Sequence, residues 1–201
     1  ESFQFMDDDY IICADGGYSF ALAEGIHPDL IIGDFDSIDA ASMKEAVDRS
    51  TSGSSCQIIR LAKEKDDTDT LYCIKHGIAH GFEQFVVLGG LGGRLDHTIA
   101  NLQAMSYAID QHSSIWFLDG KNRATMRNPG MISIDEIHGS KISLMAFTDY
   151  CEGVSIQGVK YPLENDLLDH SFPLGISNEF LEKKIEVSHK SGKLLIILSQ
   201  D

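Results

Sequence analysis

Positive charge is what this sequence has least of: 16 lysines and arginines stand against 31 aspartates and glutamates, a formal net charge of −15 over 201 residues. Such a balance argues against nucleic acid or an anionic membrane as the main partner, since an acidic chain repels both. If the ligand is anionic, a metal ion has to mediate. Long apolar runs are missing too. None reaches the about 18 residues of a membrane-spanning helix, and no secretory leader is visible. The chain opens at Glu1-Ser2-Phe3 without methionine, so residues are expected in front of it. Cysteine is sparse: Cys13, Cys56, Cys73 and Cys151 lack metal-type spacing, and Cys13 and Cys73 sit in apolar patterns. They read as buried thiols of a reducing cytoplasm. The length allows one large or two small domains with a real core.

What is present begins with Leu30 to Ser37, LIIGDFDS. Three apolar residues and Gly33 read as the end of a buried parallel strand, with Asp34 and Asp36 at its mouth. Carboxylates so placed are costly unless a cation neutralises them. In open α/β sheets the crevice beyond the carboxyl ends of the strands is where ligands bind, which suits a divalent cation carrying phosphates. An Asx-type turn in which both side chains cap the backbone is the alternative.

Tyr10 to Ala14 (YIICA) reads as a second buried strand, stopped by Asp15-Gly16-Gly17, where two glycines let backbone come close to a ligand or simply make a turn into the helix Ser19 to Gly25. Residues Ile38 to Arg49 have helical composition, and Ser50 to Ser55 is a polar loop. Gln57 to Leu61 is the third strand, followed by KEKDDTD at Lys63 to Asp69. The acids there either oppose the dipole of the next helix and cap it, or supply a further carboxylate to the strand-end pair. Leu71, Ile74 and Ile78 mark the buried face of that helix. His76 and His80 have no third nitrogen or sulfur ligand and read as surface residues.

Glu83 to Leu88 is the fourth strand and runs into GGLGGRLD, Gly89 to Asp96. Between a strand and the helix His97 to Ile109, its glycines allow amides to wrap phosphate oxygens, and Arg94 adds a positive fork. The loop has neither a Walker ending nor a clean GxGxxG. Asp96 either caps the helix or serves a hydroxyl nucleophile or metal. His97 faces solvent more readily than a reaction, and Asn101 lies one turn on. Ser114 to Leu118 is the fifth strand. From Arg123 the pattern changes to short apolar runs separated by turns, the mark of an all-β sandwich or barrel, with a boundary near residues 119 to 125. Within it LGISNEF, Leu174 to Phe180, reads either as a loop suited to a flat heterocycle or as a hairpin turn.

Taken in order, ADGG (Ala14 to Gly17), GDFDS (Gly33 to Ser37), KDDTD (Lys65 to Asp69), GGLGGRLDH (Gly89 to His97) and GISNEF (Gly175 to Phe180) resemble the thiamine pyrophosphokinase family over nearly the whole chain. The resemblance implies an α/β protein with an N-terminal Rossmann-like parallel-sheet domain, 1–121, and a C-terminal antiparallel β-sandwich, 122–201, that binds thiamine and dimerises. It implies a cytoplasmic homodimer with thiamine bound between one subunit's α/β domain and the other's β-domain. The implied reaction moves the pyrophosphoryl group of ATP to the hydroxyethyl oxygen of thiamine, giving thiamine diphosphate and AMP. By matching position, Asp34, Asp36 and Asp69 would hold magnesium, and Asp15, Asp96 and Arg94 would line the reacting centre. Gly16, Gly17, Ser37, Lys65, Gly89, Gly90, Leu91, Gly92, Gly93, Arg94 and Asn101 would bind the nucleotide. Asp96, Ser177, Asn178 and Phe180 would meet thiamine.

Two departures stand out. The family's additional strand and loop before the segment at Tyr10 are not seen, and the only tryptophan is Trp116, which leaves Phe180 as the aromatic beside the thiamine motif. Asp34-x-Asp36 also resembles the opening of haloacid dehalogenase phosphatases, although Ile38 stands where that class needs Thr or Val and the glycine loop stays unexplained. A non-catalytic thiamine or nucleotide sensor on the same fold is the third reading, at odds with a full set of acids.

Overall fold

The structure, a computed structural model, describes residues 3–35, 44–47 and 56–200. Two compact units divide it, Glu1–Gly77 and Ile78–Asp201. In the first, β1 (Ile12–Ala14), β2 (Leu30–Gly33) and β3 (Gln57–Arg60) pair in parallel in the order β1-β2-β3. β2 is buried at every position, as a central parallel strand covered on both faces should be. Helix α1 (Gly17–Ala23) starts two residues before the expected Ser19 and ends ahead of Gly25, whose φ of 70° only glycine adopts freely. Tyr18 of α1 is fully buried with Cys13, Ile31 and Phe35. Of the expected helix Ile38 to Arg49, residues 44–47 are helical, and Ala46 joins this core. Asp36, Ser37 and the loop Ser50 to Ser55 lie outside the described residues.

Helix α2 (Asp69–Ala79) buries Ile74 and Gly77, with Leu71 and Ile78 half-buried on the expected face. In the second unit β4 (Gln84–Leu88), α3 (Leu95–Asp110) and β5 (Ser114–Asp119) form a strand–helix–strand element whose strands are parallel, Leu88 opposite Leu118. Asn101, Ala104, Met105, Ala108 and Ile109 recur at three and four along α3 and form its buried stripe, while Leu102 is only half-buried.

The remaining strands are β6 (Asn122–Arg127), β7 (Gly130–Asp135), β8 (Ser140–Ala146), β9 (Tyr150–Ile156), β10 (Leu163–Asp169), β11 (Gly175–Glu179), β12 (Lys184–His189) and β13 (Leu194–Gln200). They make two sheets, β11-β8-β13-β6-β5-β4 and β10-β9-β12-β7. Inward residues of both, among them Ile142, Leu144, Ile196 and Leu198 from one and Val154, Ile156, Ile185 and Val187 from the other, form a sandwich core. Each such side chain contributes about 1.5–3 kcal/mol by leaving water. The Gly120-Lys121 turn, through which parallel β5 meets antiparallel β6 in the same sheet, lies within the stretch 119 to 125 where the sequence pattern changes. The segment LGISNEF is neither free loop nor hairpin turn: Gly175–Glu179 is the edge strand β11, because its backbone finds partners on β8.

His189 ends β12 only 5% exposed, its Nε2 lying 3.2 Å from the carbonyl oxygen of Gly192. Burial pushes its pKa below the ordinary 6.5, so the imidazole is held neutral, whereas the unfolded chain binds a proton there as pH falls. Stability from this group is therefore complete above pH 6.5 and is lost as pH drops below it. Urea midpoints measured at about pH 7.5 and about pH 5.5 should fall further for the wild type than for His189→Gln. Equal losses would assign the acid sensitivity to other groups.

Candidate active site

Parallel register builds the first part of the site. Ala14 lies opposite Ile32, so Asp15 follows β1 just where Gly33 closes β2, and the Asp15 N–H donates to the Ile32 carbonyl at 2.7 Å. A Cβ on Gly33 would sit 2.9 Å from both the Cα and the Oδ1 of Asp15, which leaves room for glycine alone. Asp15 Oδ1 accepts the Phe35 N–H at 3.1 Å. Asp15 (φ 43°) and Phe35 (φ 65°) both hold left-handed backbone, a conformation paid for only where the surroundings impose it. Asp15 thus braces the turn that carries Asp34, while its second oxygen is left for other work. Gly16 and Gly17 bring the backbone directly into α1.

The acids of KDDTD have separate fates. Thr68 caps α2, its Oγ1 accepting the Leu71 N–H at 3.2 Å, so the aspartates are not needed as caps. Asp67 takes both its oxygens to Lys75 Nζ, at 2.7 and 2.8 Å. Asp69 faces Lys65 in a close ion pair, Nζ to Oδ1 2.7 Å. Burial works against the Lys65 charge, but contact with Asp69 and the fields of Asp69, Asp34 and Asp15 prevail and raise its pKa above 10.5. Those three carboxylates and one ammonium therefore share a neighbourhood. Among the described residues no three acidic, histidine or cysteine groups already stand at metal-binding spacing.

In the second unit the glycines of Gly89 to Arg94 have distinct reasons. Gly89 and Gly93 take φ of 78° and 80°. A Cβ on Gly90 would fall 2.4 Å from the Phe117 ring, and one on Gly92 would fall 2.8 Å from Asp119 Oδ2. The Leu91 N–H donates to Asp119 Oδ2 at 3.2 Å, and the buried Asn101 amide donates to the Gly90 carbonyl at 2.7 Å. Asn101 therefore holds the loop from beneath. Arg94, not Asp96, occupies the N-cap position of α3, in extended backbone and without a side-chain cap. Its guanidinium makes two exposed bonds to Asp96, Nε to Oδ1 at 3.1 Å and the other to Oδ2 at 2.5 Å. That pairing raises the Arg94 pKa and lowers that of Asp96, which weakens Asp96 as a base. His97 is exposed.

On β11 a bulge sets three steps, Gly175 to Asn178, against two on β8, Leu144 to Ile142, and Ser177 there takes φ 57°. The Ser177 N–H donates to Ser143 Oγ at 3.0 Å, leaving its own hydroxyl exposed. Asn178, 8% exposed, copies a backbone pair: Oδ1 accepts the Tyr161 N–H at 2.9 Å and Nδ2 donates to the Tyr161 carbonyl at 2.7 Å. Phe180 is half-buried in a bridge to Val159.

Three residues escape a reading of the sequence. Arg60, at the carboxyl end of β3, lies 5.6 Å from the Phe35 ring centroid. Asp119 holds the glycine loop and was signalled only by its place after the fifth strand. Tyr161, 62% exposed, is the aromatic that Asn178 fixes, and nothing local in Lys160-Tyr161-Pro162 marks it.

Strand-end carboxylates, a glycine-rich strand-to-helix loop and an appended antiparallel sandwich together define a phosphate-handling α/β protein. Family models make this specific. Residues 4–117 match the thiamin pyrophosphokinase catalytic domain and residues 131–194 the thiamin pyrophosphokinase vitamin B1 binding domain. The chain belongs to the thiamine pyrophosphokinase family. It is 29% identical over 191 residues to thiamine pyrophosphokinase of Bacillus subtilis, covering 94% of this chain and 87% of that one. Thiamin pyrophosphokinase 1 of Caenorhabditis elegans is 26% identical over 179 residues, covering 85% and 70%. The crystal structure of the Bacillus subtilis protein superimposes with a TM-score of 0.89 at 27% identity, over 98% of this chain and 90% of that chain.

Gly90→Ala tests the loop's packing against Phe117. The added methyl has to displace a buried ring, so urea denaturation should show a loss of about 1–3 kcal/mol. ATP affinity should fall with it, and unchanged values of both would show that the loop shifts freely.

Proposed function

We propose that this protein transfers the pyrophosphoryl group of ATP to the hydroxyethyl oxygen of thiamine, forming thiamine diphosphate and AMP. The observation that carries the reading is the presence of both family matches, catalytic and vitamin-B1-binding, in order in one chain. They also support a functional division into a nucleotide-binding part, 1–121, and a thiamine-binding part, 122–201. In the reaction the hydroxyl oxygen bonds to the β-phosphorus, the bond from that phosphorus to the oxygen of AMP breaks, and the hydroxyl proton leaves to a base or to solvent.

Magnesium suits the acids of the first unit: Asp34, Asp69 and Asp36 are hard oxygen donors, and the fields of Asp69 and Asp34 already favour a cation, the Lys65 ammonium, beside them. Bound there, the ion would neutralise phosphate charge and favour attack on phosphorus. Asp15 braces the Asp34 turn, and Lys65, with Gly16, Gly17 and Ser37, meets phosphate oxygens. The amides of Gly89 to Gly93 cradle the phosphates over Asn101, and Arg94 supplies a cationic fork. Asp96, held at low pKa by Arg94, orients the attacking hydroxyl through a hydrogen bond in preference to removing its proton. Ser177 offers its hydroxyl to the aminopyrimidine, Asn178 acts by fixing Tyr161, and Tyr161 with Phe180 gives aromatic surface to thiamine.

The setting we propose is a cytoplasmic homodimer with thiamine shared between subunits. Cys13, Cys56, Cys73 and Cys151 stand as thiols outside any disulfide among the described residues, which supports the compartment. Exposed Leu174, Ile176 and Leu181 beside β11 support a partner there. Among the described residues no helix is long and apolar enough to cross a membrane.

Nucleotide products formed from ATP and magnesium, with and without thiamine, test the reaction. AMP should appear only with thiamine and in step with thiamine diphosphate; inorganic phosphate released regardless of thiamine would replace this reading with a phosphatase. Asp69→Asn should lower turnover by about a hundredfold or more with the fold retained. Tyr161→Ala should raise KM for thiamine about tenfold and change kcat much less, and an unaltered KM would remove Tyr161 from the site.

A further inference from the structure

A cavity of about 270 Å³ opens in the second unit where the end of β6, the segment after α3 and the end of β12 come together. Arg127, His112, Ser113 and His189 supply its polar wall, and Ile109 and Leu194 are among its apolar residues. None of the residues lining it is aspartate or glutamate, in a chain with 31 acids and 16 bases. An arginine placed here by chance would be expected to meet a carboxylate.

Among the described residues Arg127 meets none. The side chain is half-buried: its Nε is enclosed and has no hydrogen-bond partner among the described residues, and burial depresses the pKa of the group below its ordinary 12.5. A half-buried cation with no acid beside it is incompletely compensated, and an anion in the cavity would meet its terminal nitrogens. Neighbouring polar groups do not fill that role. Asn128 is spent as a donor to the Ile109 carbonyl at 2.9 Å, and the His189 ring lies against the Gly192 carbonyl at 3.2 Å. The guanidinium is a planar fork suited to two parallel bonds to a phosphate or carboxylate.

We propose that this cavity binds a small oxyanion, a phosphate or carboxylate group on a short carbon body, received by the Arg127 guanidinium with Ser113 and His112 as further donors. The apolar wall accommodates the carbon, and the absence of lining acids removes the repulsion that an anion would otherwise meet. None of these residues has a role in the pyrophosphoryl transfer proposed above, so each proposal can fail without the other.

The test follows the Arg127 Nε–H resonance of the full chain by ¹⁵N NMR during separate titrations with inorganic phosphate and with butyrate, at ionic strength held constant with sodium chloride. A saturable shift with either anion, and a rise in Tm with the same anion, is expected; the anion that acts identifies phosphate or carboxylate as the preferred group. Arg127→Met should lose both responses while remaining at least as stable as the wild type in anion-free buffer, since a half-buried charge with no acid beside it has gone. Arg127→Lys keeps charge without the fork, and should bind about tenfold more weakly. If Arg127→Met fails to fold, the wild-type resonance and the lysine variant decide. No saturable shift with either anion, a shift equalled by chloride, or an undiminished Tm response in either variant would overturn the proposal.

Discussion

The site in the first unit depends on one constraint, the parallel register of β1 and β2. By setting Ala14 opposite Ile32 it brings Asp15 against Gly33 and starts the Asp34 turn within a hydrogen bond of the Asp15 carboxylate. The arrangement gathers negative charge at strand ends in a chain that already carries −15. Only a nearby cation makes that tolerable, and here it is Lys65, drawn in by Asp69, Asp34 and Asp15 together.

The glycine loop shows the same economy by steric means. Its four glycines do four things: two supply left-handed backbone, one clears the Phe117 ring and one clears the Asp119 carboxylate. Side-chain hydrogen bonds from Asn101 and to Asp119 then fix a segment with little packing of its own. Preorganised amides stabilise developing phosphate charge without reorganising when it forms, which is why a rigid loop serves transfer better than a flexible one.

The two-part architecture was legible because it is written in periodicity. Buried runs such as LIIG and SIWFL alternate with helical stripes, and after Arg123 only short strands follow. That Asp15 and Asp34 stand at strand ends was legible too, since each directly follows an apolar run. What stayed hidden depends on contacts made across the fold. Nothing local tells that Thr68 rather than an aspartate caps α2, that Asp67 is consumed by Lys75, or that the Asn178 amide is turned inward onto Tyr161. The motif GISNEF stands out through its polar side chains, whereas the exposed aromatic whose backbone Asn178 holds lies 17 residues earlier.

Arg94 and Asp96 carry the last step of the argument. Sequence order offers an arginine for phosphate and an acid for the nucleophile, as though each acted alone. The structure joins them in a two-point pair on the solvent side of the α3 N-terminus, and each then alters what the other can do. A carboxylate stabilised by a guanidinium is a poorer proton acceptor but a better-oriented hydrogen-bond partner. An arginine so paired is aimed by the acid while remaining charged at any working pH. Because phosphoryl-type transfer gains more from positioning and charge neutralisation than from strong bases, the role we propose for Asp96 would lose little by its weakening as a base and gain more from its fixed direction.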